Sequence, residues 1–203
     1  MLPYEMGVKA GAATLMSGFH DISGVPASAN HYTMREVLKG RWRHDGFVVS
    51  DWGSIVQLIS QGAAEDLKEA SEKAIMAGVD MDMMSRGYDK YLKELVGEGK
   101  VPMEIVDDAV RRILRLKFRL GLFENPYIRE TTEKERFLQP EDIKIAEKLA
   151  EESFVLLKNK EKRLPLAADT KVAVIGPLGK NRWNLLGSWT AHGKDGDVVG
   201  IYD

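Results

Sequence analysis

One carboxylate stands out by its place in the sequence. An apolar run at residues 47–49 begins after Gly46 and ends in Ser-Asp-Trp-Gly at residues 50–53. Phe and Val favour pleated strands, and a short apolar run bounded by turn residues is typical of a parallel strand covered on both faces. Asp51 therefore comes where a strand gives way to a loop, the edge at which parallel α/β folds place their chemistry. The alternative is that Asp51 caps the helix that follows.

Further strands and helices should position this carboxylate. Apolar runs at residues 13–17 and 79–83 lie about thirty residues to either side of the central one, the length of a βαβ unit. Thr33 and Glu36 fit a capping box that opens one intervening helix, and Gly78 ends the next. The alternation of strand and helix predicts an α/β fold with a parallel sheet.

A third helix begins at Pro102, a residue suited to the first turn. Its apolar stripe at helical spacing comprises Val106, Ala109, Val110, Ile113, Leu116 and Leu120. Its basic residues are Arg111, Arg112, Arg115, Lys117 and Arg119. Because Asp107 and Asp108 interleave, we interpret the basic residues as a solvated or loop-anchoring face and expect no nucleic-acid partner.

Composition narrows the class of protein. The 203 residues are 44% hydrophobic and 30% charged with a net charge of -2, values ordinary for a globular protein. There is no cysteine, and no apolar run is long enough to cross a bilayer. The four histidines lack metal-ligand spacing, and Asp80 and Asp82 do not fit a calcium loop. We therefore expect no metal, no cofactor and no membrane partner.

The last third of the chain has a different pattern. Residues 121–140 show no clean periodicity and are interpreted as a linker between domains. Pro140 opens another helix, whose predicted inward face is Ile143, Ala146, Leu149, Ala150 and Phe154. Residues 171–175 then predict a strand that starts a second α/β domain, which is incomplete at residue 203.

Several motifs in order resemble one family. They are the Ser-Asp-Trp-Gly of residues 50–53, the runs at residues 23–28 and 78–83, and two later runs at residues 121–127 and 152–159. Together they resemble the family 3 glycoside hydrolases, the β-glucosidase group. The resemblance implies that residues 1–120 are the last three βα units of a (β/α)8 barrel like that of triosephosphate isomerase, since such a barrel needs eight. It also implies that residues 121–140 link this part to a second α/β sandwich domain beginning at residue 141, and that the chain is an internal piece of a larger enzyme.

The resemblance further implies a catalytic mechanism for Asp51. In the family the Asp of this motif is the nucleophile of a retaining glycosidase, which needs two carboxyl groups about 5–5.5 Å apart. Ser50 and the amides after Asp51 would supply its polar setting. The family's acid/base Glu comes from the second domain, and no Glu of this chain matches it. Ser23 departs from the family pattern, which often has Asn before Gly24.

Two aromatic residues are candidates for sugar binding. Trp52 would wall the sugar site, although a core aromatic covering the barrel mouth is nearly as good an interpretation. Phe19 falls where relatives carry an aromatic at the sugar subsite, but packing is the default role for Phe.

The expected activity is that of a retaining β-glucosidase acting on a β-linked oligosaccharide or glucoside. The alternatives are a β-xylosidase of the same family and a non-catalytic carbohydrate-binding fragment, because the acid/base Glu and the upstream sugar-binding residues lie outside the chain. The resemblance favours a periplasmic or secreted location. The sequence leaves the oligomeric state open.

Overall fold

The computed structural model describes residues 1–128 and 137–203. The chain forms two units, Met1–Tyr127 and Ile128–Asp203. Residues 129–136, which belong to the predicted linker, lie outside the described residues.

The first unit alternates helices and strands, which confirms the predicted α/β class. Its elements are α1 (Leu2–Lys9), β1 (Thr14–Ser17), β2 (Asp21–Ile22), β3 (Val25–Pro26), a 3₁₀ turn (Ala27–Ala29), a π-helix (Tyr32–Arg41), β4 (Phe47–Ser50), α2 (Gln57–Ser60), α3 (Leu67–Ala77), α4 (Gly87–Gly97) and α5 (Met103–Arg119). Strands β2 and β3 form a small antiparallel hairpin in the loop after β1.

The two longer strands pair in parallel, as the sequence predicts. Thr14 lies opposite Phe47 and Ser17 lies opposite Ser50, so β1 and β4 end at the same edge. The third predicted strand, residues 79–83, is reduced to a single parallel bridge between Val49 and Met81. It is short because the carboxylate of Asp82 accepts hydrogen bonds from the amides that open α4, which turns the chain away from the ladder.

Two glycines are required by this arrangement. A Cβ on Gly46 would lie 1.8 Å from the carbonyl oxygen of Ala13, so only glycine lets β4 begin this close to the segment before β1. Gly78 has φ of +112° and ends α3 in the left-handed conformation that favours glycine.

Two clusters of buried side chains hold the unit together, and α3 contributes to both. The first cluster, around β4, is Leu38, Val48, Ile55, Leu58, Ala70, Ala74 and Val79. The second is Ile75, Leu95, Val101 and Ala109. Each large aliphatic side chain buried in this way stabilises the fold by about 1.5–3 kcal/mol.

The start of the π-helix differs from the prediction. The amide of Thr33 donates 3.0 Å to the side-chain oxygen of Asn30, and the Thr33 hydroxyl donates to the carbonyl of Asn30. Among the described residues the reciprocal bonds of the predicted capping box, between Thr33 and Glu36, do not form, and the N-cap residue His31 makes no side-chain capping bond. The capping-box prediction was wrong because Asn30, which is buried, satisfies the amide that Thr33 was expected to exchange with Glu36.

The basic face of α5 anchors a loop, as predicted. Arg112 donates to the carbonyls of His44 (2.8 Å) and Gly46 (2.9 Å), and Arg115 donates to the carbonyl of Asp45 (2.6 Å). The guanidinium groups thus fix the segment that leads into β4.

The second unit does not follow its prediction. Helix α6 (Pro140–Ser153) forms where expected, but none of its residues is buried, so its predicted inward face is exposed. In this part of the described chain, residues 171–175 form no strand, because they gain no ladder partner and Ile175 is 92% exposed. Short 3₁₀ turns occur at Trp183–Leu186 and Asp195–Asp197.

Candidate active site

Asp51 lies where β4 ends, at the carboxyl edge of the parallel pair. Its amide donates 3.0 Å to the carbonyl of Ser17, the last residue of β1, so both strands fix its position. The side chain is partly exposed, and Oδ1 accepts a hydrogen bond of 2.6 Å from the amide of Trp52. In the described part of the chain Oδ2 accepts no hydrogen bond. The carboxylate does not cap α2, which begins six residues later, at Gln57.

The expectation for Ser50 was wrong. Its hydroxyl, which is fully buried, accepts a 2.7 Å hydrogen bond from the amide of Met83 instead of supporting Asp51. Successive side chains of a strand point to opposite faces, so Ser50 faces away from its neighbour. The bond instead joins the loop after residue 81 to β4, and the amide of Gly53 donates 2.9 Å to the carbonyl of Met83.

Trp52 is exposed, with 54% of its surface accessible to solvent. Within the described chain the ring is not packed into a core, and the sugar-wall and packing interpretations of Trp52 both stay predictions. Its amide holds the carboxylate of Asp51 and its ring lies at the surface.

Phe19 belongs to the same edge of the sheet. It lies two residues after β1, and its carbonyl accepts a 2.7 Å hydrogen bond from Gln61, the residue after α2. Its side chain is 36% exposed. The fold therefore brings the loops that carry Phe19, Asp51 and Trp52 to one edge of the sheet.

A buried ion pair supports the site and was missed in the sequence. Lys39 Nζ lies 2.5 Å from Asp80 Oδ1, and Asp80 Oδ2 accepts 2.8 Å from the amide of Val48. Burial lowers the pKa of Lys39 to about 8, against the opposing attraction of Asp80. The sequence indicated part of this arrangement, because the strand pattern at residues 79–83 allows only one of Asp80 and Asp82 to face the interior.

Within residues 1–128 and 137–203, no group of three or more His, Asp or Glu is placed to hold a metal ion. No helix in the same ranges is long and apolar enough to cross a membrane.

The fold and the site thus define an α/β protein whose candidate carboxylate stands at the carboxyl edge of a parallel sheet. Residues 1–116 match the glycosyl hydrolase family 3 N terminal domain. The chain therefore belongs to glycosyl hydrolase family 3.

Similar proteins come from several sources. The chain is 38% identical to a periplasmic beta-glucosidase of Salmonella typhimurium, over 99% of this chain and 27% of that protein. It is 37% identical to a putative beta-xylosidase of Formosa agariphila, over 88% of this chain and 24% of that protein. The chain spans about a quarter of the length of these relatives.

Solved structures agree with the sequence matches. The beta-glucosidase of Listeria innocua superposes with a TM-score of 0.80 at 38% identity, over 98% of this chain and 28% of that one. The same Listeria enzyme has been solved with glucose, and a mutant of it with laminaribiose.

Proposed function

We propose that this chain is the part of a retaining β-glucosidase that carries the nucleophile, Asp51. The observation that carries the proposal is the placement of Asp51 at the end of the central parallel strand, with one carboxylate oxygen bonded and the other, among the described residues, without a hydrogen-bond partner. Membership of glycosyl hydrolase family 3 and similarity to named beta-glucosidases support it.

The proposed chemistry has two steps. Asp51 Oδ2 attacks the anomeric carbon while the bond to the leaving oxygen breaks and that oxygen takes a proton from a carboxylic acid. Water then gives a proton to the same acid/base carboxylate and displaces Asp51 from the glycosyl-enzyme ester, and the anomeric configuration is retained. The acid/base carboxyl would lie about 5–5.5 Å from Asp51, and we assign it to no residue of this chain.

The proposed substrate is a β-linked glucoside or oligosaccharide. The Listeria innocua enzyme, whose structures contain glucose and laminaribiose, supports this choice. Trp52 is proposed to wall the sugar site with its exposed ring, and Phe19 to contact the sugar from the loop after β1.

The fold proposal follows the same family. Residues 1–120 would form the last three βα units of an eight-stranded barrel, residues 121–140 a linker, and residues 141–203 the start of a second α/β sandwich domain. Consecutive strands of such a barrel are parallel neighbours. The parallel pairing of β1 with β4, and of β4 with Met81, supports the assignment of residues 1–120 to a barrel. A periplasmic or secreted location is proposed from the Salmonella relative.

A β-xylosidase is the second candidate, favoured by the similarity to a putative beta-xylosidase of Formosa agariphila. Xylose lacks the hydroxymethyl group of glucose, so the two activities separate by kcat/KM on aryl β-glucosides and aryl β-xylosides. A ratio in favour of the xyloside would replace the glucosidase proposal and leave Asp51 as nucleophile.

The test of the proposal is Asp51→Asn in the full-length protein that carries these residues. Asn keeps the shape of Asp but removes the attacking group, so we expect about a 10⁵-fold loss in kcat, or about 7 kcal/mol of barrier. Asp107→Asn is the matched control, because Asp107 is an exposed carboxylate on α5 paired with Arg111. Retention of more than a few per cent of activity in Asp51→Asn would overturn the proposal.

A further inference from the structure

Three serine hydroxyls form a buried chain next to Asp51. Ser28 Oγ lies 2.9 Å from Ser17 Oγ and 2.9 Å from Ser54 Oγ. The three residues, which we name the serine clamp, are between 1% and 2% exposed. They come from β1, from the 3₁₀ turn Ala27–Ala29 and from the loop after β4.

Both ends of the serine clamp hold the backbone of Asp51. The carbonyl of Ser17 accepts 3.0 Å from the Asp51 amide, and the Ser54 amide donates 3.0 Å to the Asp51 carbonyl. The hydrogen bonds therefore close a ring in which the peptide groups of Asp51 are one side and the Ser28 hydroxyl is the other.

The composition of the serine clamp is unusual for its place. A hydroxyl buried away from water destabilises the protein unless it has a hydrogen-bond partner. Alanine at the same position would carry no such cost. Hydrogen-bonded polar side chains, in contrast, fix one geometry more strictly than apolar packing does. In the described chain the Ser28 hydroxyl joins the side chains of Ser17 and Ser54, the two residues whose backbones bond Asp51.

We propose that the serine clamp positions the carboxylate of Asp51 for attack, with Ser28 as the positioning residue that joins its two ends. This inference rests on the proposed function, since it concerns the placement of the same nucleophile. Without the Ser28 hydroxyl, the ends of β1 and of the loop after β4 lose their side-chain connection and Asp51 samples a wider range of positions. Misplacement of a reacting group by about 1 Å can cost about a hundredfold in rate.

The test compares Ser28→Ala with Ser71→Ala in the full-length protein. Ser71 is a matched control, because it is equally buried but its hydroxyl donates 2.6 Å to the carbonyl of Leu67 within α3. The readout is the maximal rate at which a 2-deoxy-2-fluoro glucoside with a good leaving group labels Asp51, together with the dissociation constant of that reagent. Both are measured per folded molecule, from peptide mass spectrometry and the circular dichroism of the same sample.

We expect Ser28→Ala to lower the maximal labelling rate by about tenfold to a hundredfold while the dissociation constant stays near the wild-type value. Ser71→Ala should label at the wild-type rate, and Ser28→Thr, which keeps the hydroxyl, should recover most of the loss. Should Ser28→Ala fail to fold, Ser54→Ala, which breaks the other end of the clamp, should show the same loss of rate.

A folded Ser28→Ala or Ser54→Ala protein that labels Asp51 at the wild-type rate would overturn the inference and leave the proposed function intact. A loss that is equal in Ser71→Ala would overturn it too, because a general loss of stability would then explain both. Wild-type protein labelled on a residue other than Asp51 would instead refute the proposed function.

Discussion

At the scale of single residues, the backbone and the side chain of Trp52 have different roles at the candidate site. The Trp52 amide fixes Oδ1 of Asp51 at 2.6 Å, whereas the Trp52 ring is exposed. The backbone of one residue thus orients the carboxylate, and its side chain remains available for a ligand.

Replacement of Trp52 tests this division. Because the ring is 54% exposed, Trp52→Ala should change the free energy of unfolding by about 0.5 kcal/mol or less. It should weaken binding of a glucoside inhibitor by about tenfold, which corresponds to about 1.4 kcal/mol. Inhibitor titration and thermal unfolding of the full-length protein measure the two effects.

Trp42→Ala is the control for that experiment, because Trp42 packs against the cluster around β4 and its loss should lower stability by about 3–5 kcal/mol. A Trp52→Ala protein that binds the inhibitor normally but unfolds as easily as Trp42→Ala would show that Trp52 serves packing.

At the scale of elements, α5 braces the segment that leads into β4. Arg112→Met removes two charged hydrogen bonds to the carbonyls of His44 and Gly46, so we expect a loss of about 2–3 kcal/mol in stability. Arg111→Met should be nearly neutral, because Arg111 is exposed and pairs with Asp107 on its own helix. Thermal unfolding of both variants checks this. Equal midpoint temperatures would show that the Arg112 hydrogen bonds to the segment before β4 do not stabilise the fold.

The Lys39–Asp80 pair, which joins the π-helix to residues 79–83, makes a prediction about pH. Burial lowers the pKa of Lys39 from 10.5 to about 8, so between these values the unfolded chain binds more protons than the folded one. The contribution of Lys39 to the free energy of unfolding therefore rises as the pH increases from about 8 to 10.5. From pH 7.5 to pH 9.5 the advantage of wild type over Lys39→Met should grow by on the order of 1–2 kcal/mol.

Denaturation of both proteins at the two pH values measures this difference. An advantage that stays constant or shrinks would show that burial does not lower the pKa of Lys39 in the folded protein, because the attraction of Asp80 then offsets it.

The elements also show what the sequence can predict. Strand β4 and the place of Asp51 followed from a local pattern, an apolar run closed by turn residues. The bond from the Thr33 amide to Asn30 in place of Glu36 did not follow from a local pattern, because it depends on the tertiary burial of Asn30. The Ser17–Ser28–Ser54 contacts join residues 11 and 26 positions apart, and no local periodicity signals such contacts.

At the scale of the whole molecule, apolar surface remains uncovered in each unit. In the described chain β1 pairs on one side, with β4, and its Met16 is 53% exposed. Within the second unit α6 buries none of its residues. Unpaired strand edges and exposed apolar helix faces promote association between molecules in solution.

We therefore predict that the 203-residue chain expressed alone self-associates or is molten, and hydrolyses no aryl β-glucoside. Light scattering after size exclusion, binding of a hydrophobic dye and an activity assay test this. A soluble monomer with one cooperative thermal transition would show that the chain is an independent folding unit.

The most direct measurement of the central claim is the covalent trapping of Asp51. The full-length protein is incubated with a 2-deoxy-2-fluoro glucoside bearing a good leaving group, whose fluorine destabilises the oxocarbenium-like transition states and lets the glycosyl-enzyme accumulate. We predict that peptide mapping places the sugar on the peptide containing residues 47–53, with the label on Asp51. A label on another carboxylate would contradict the assignment of the nucleophile, and a product of inverted configuration would contradict the retaining mechanism.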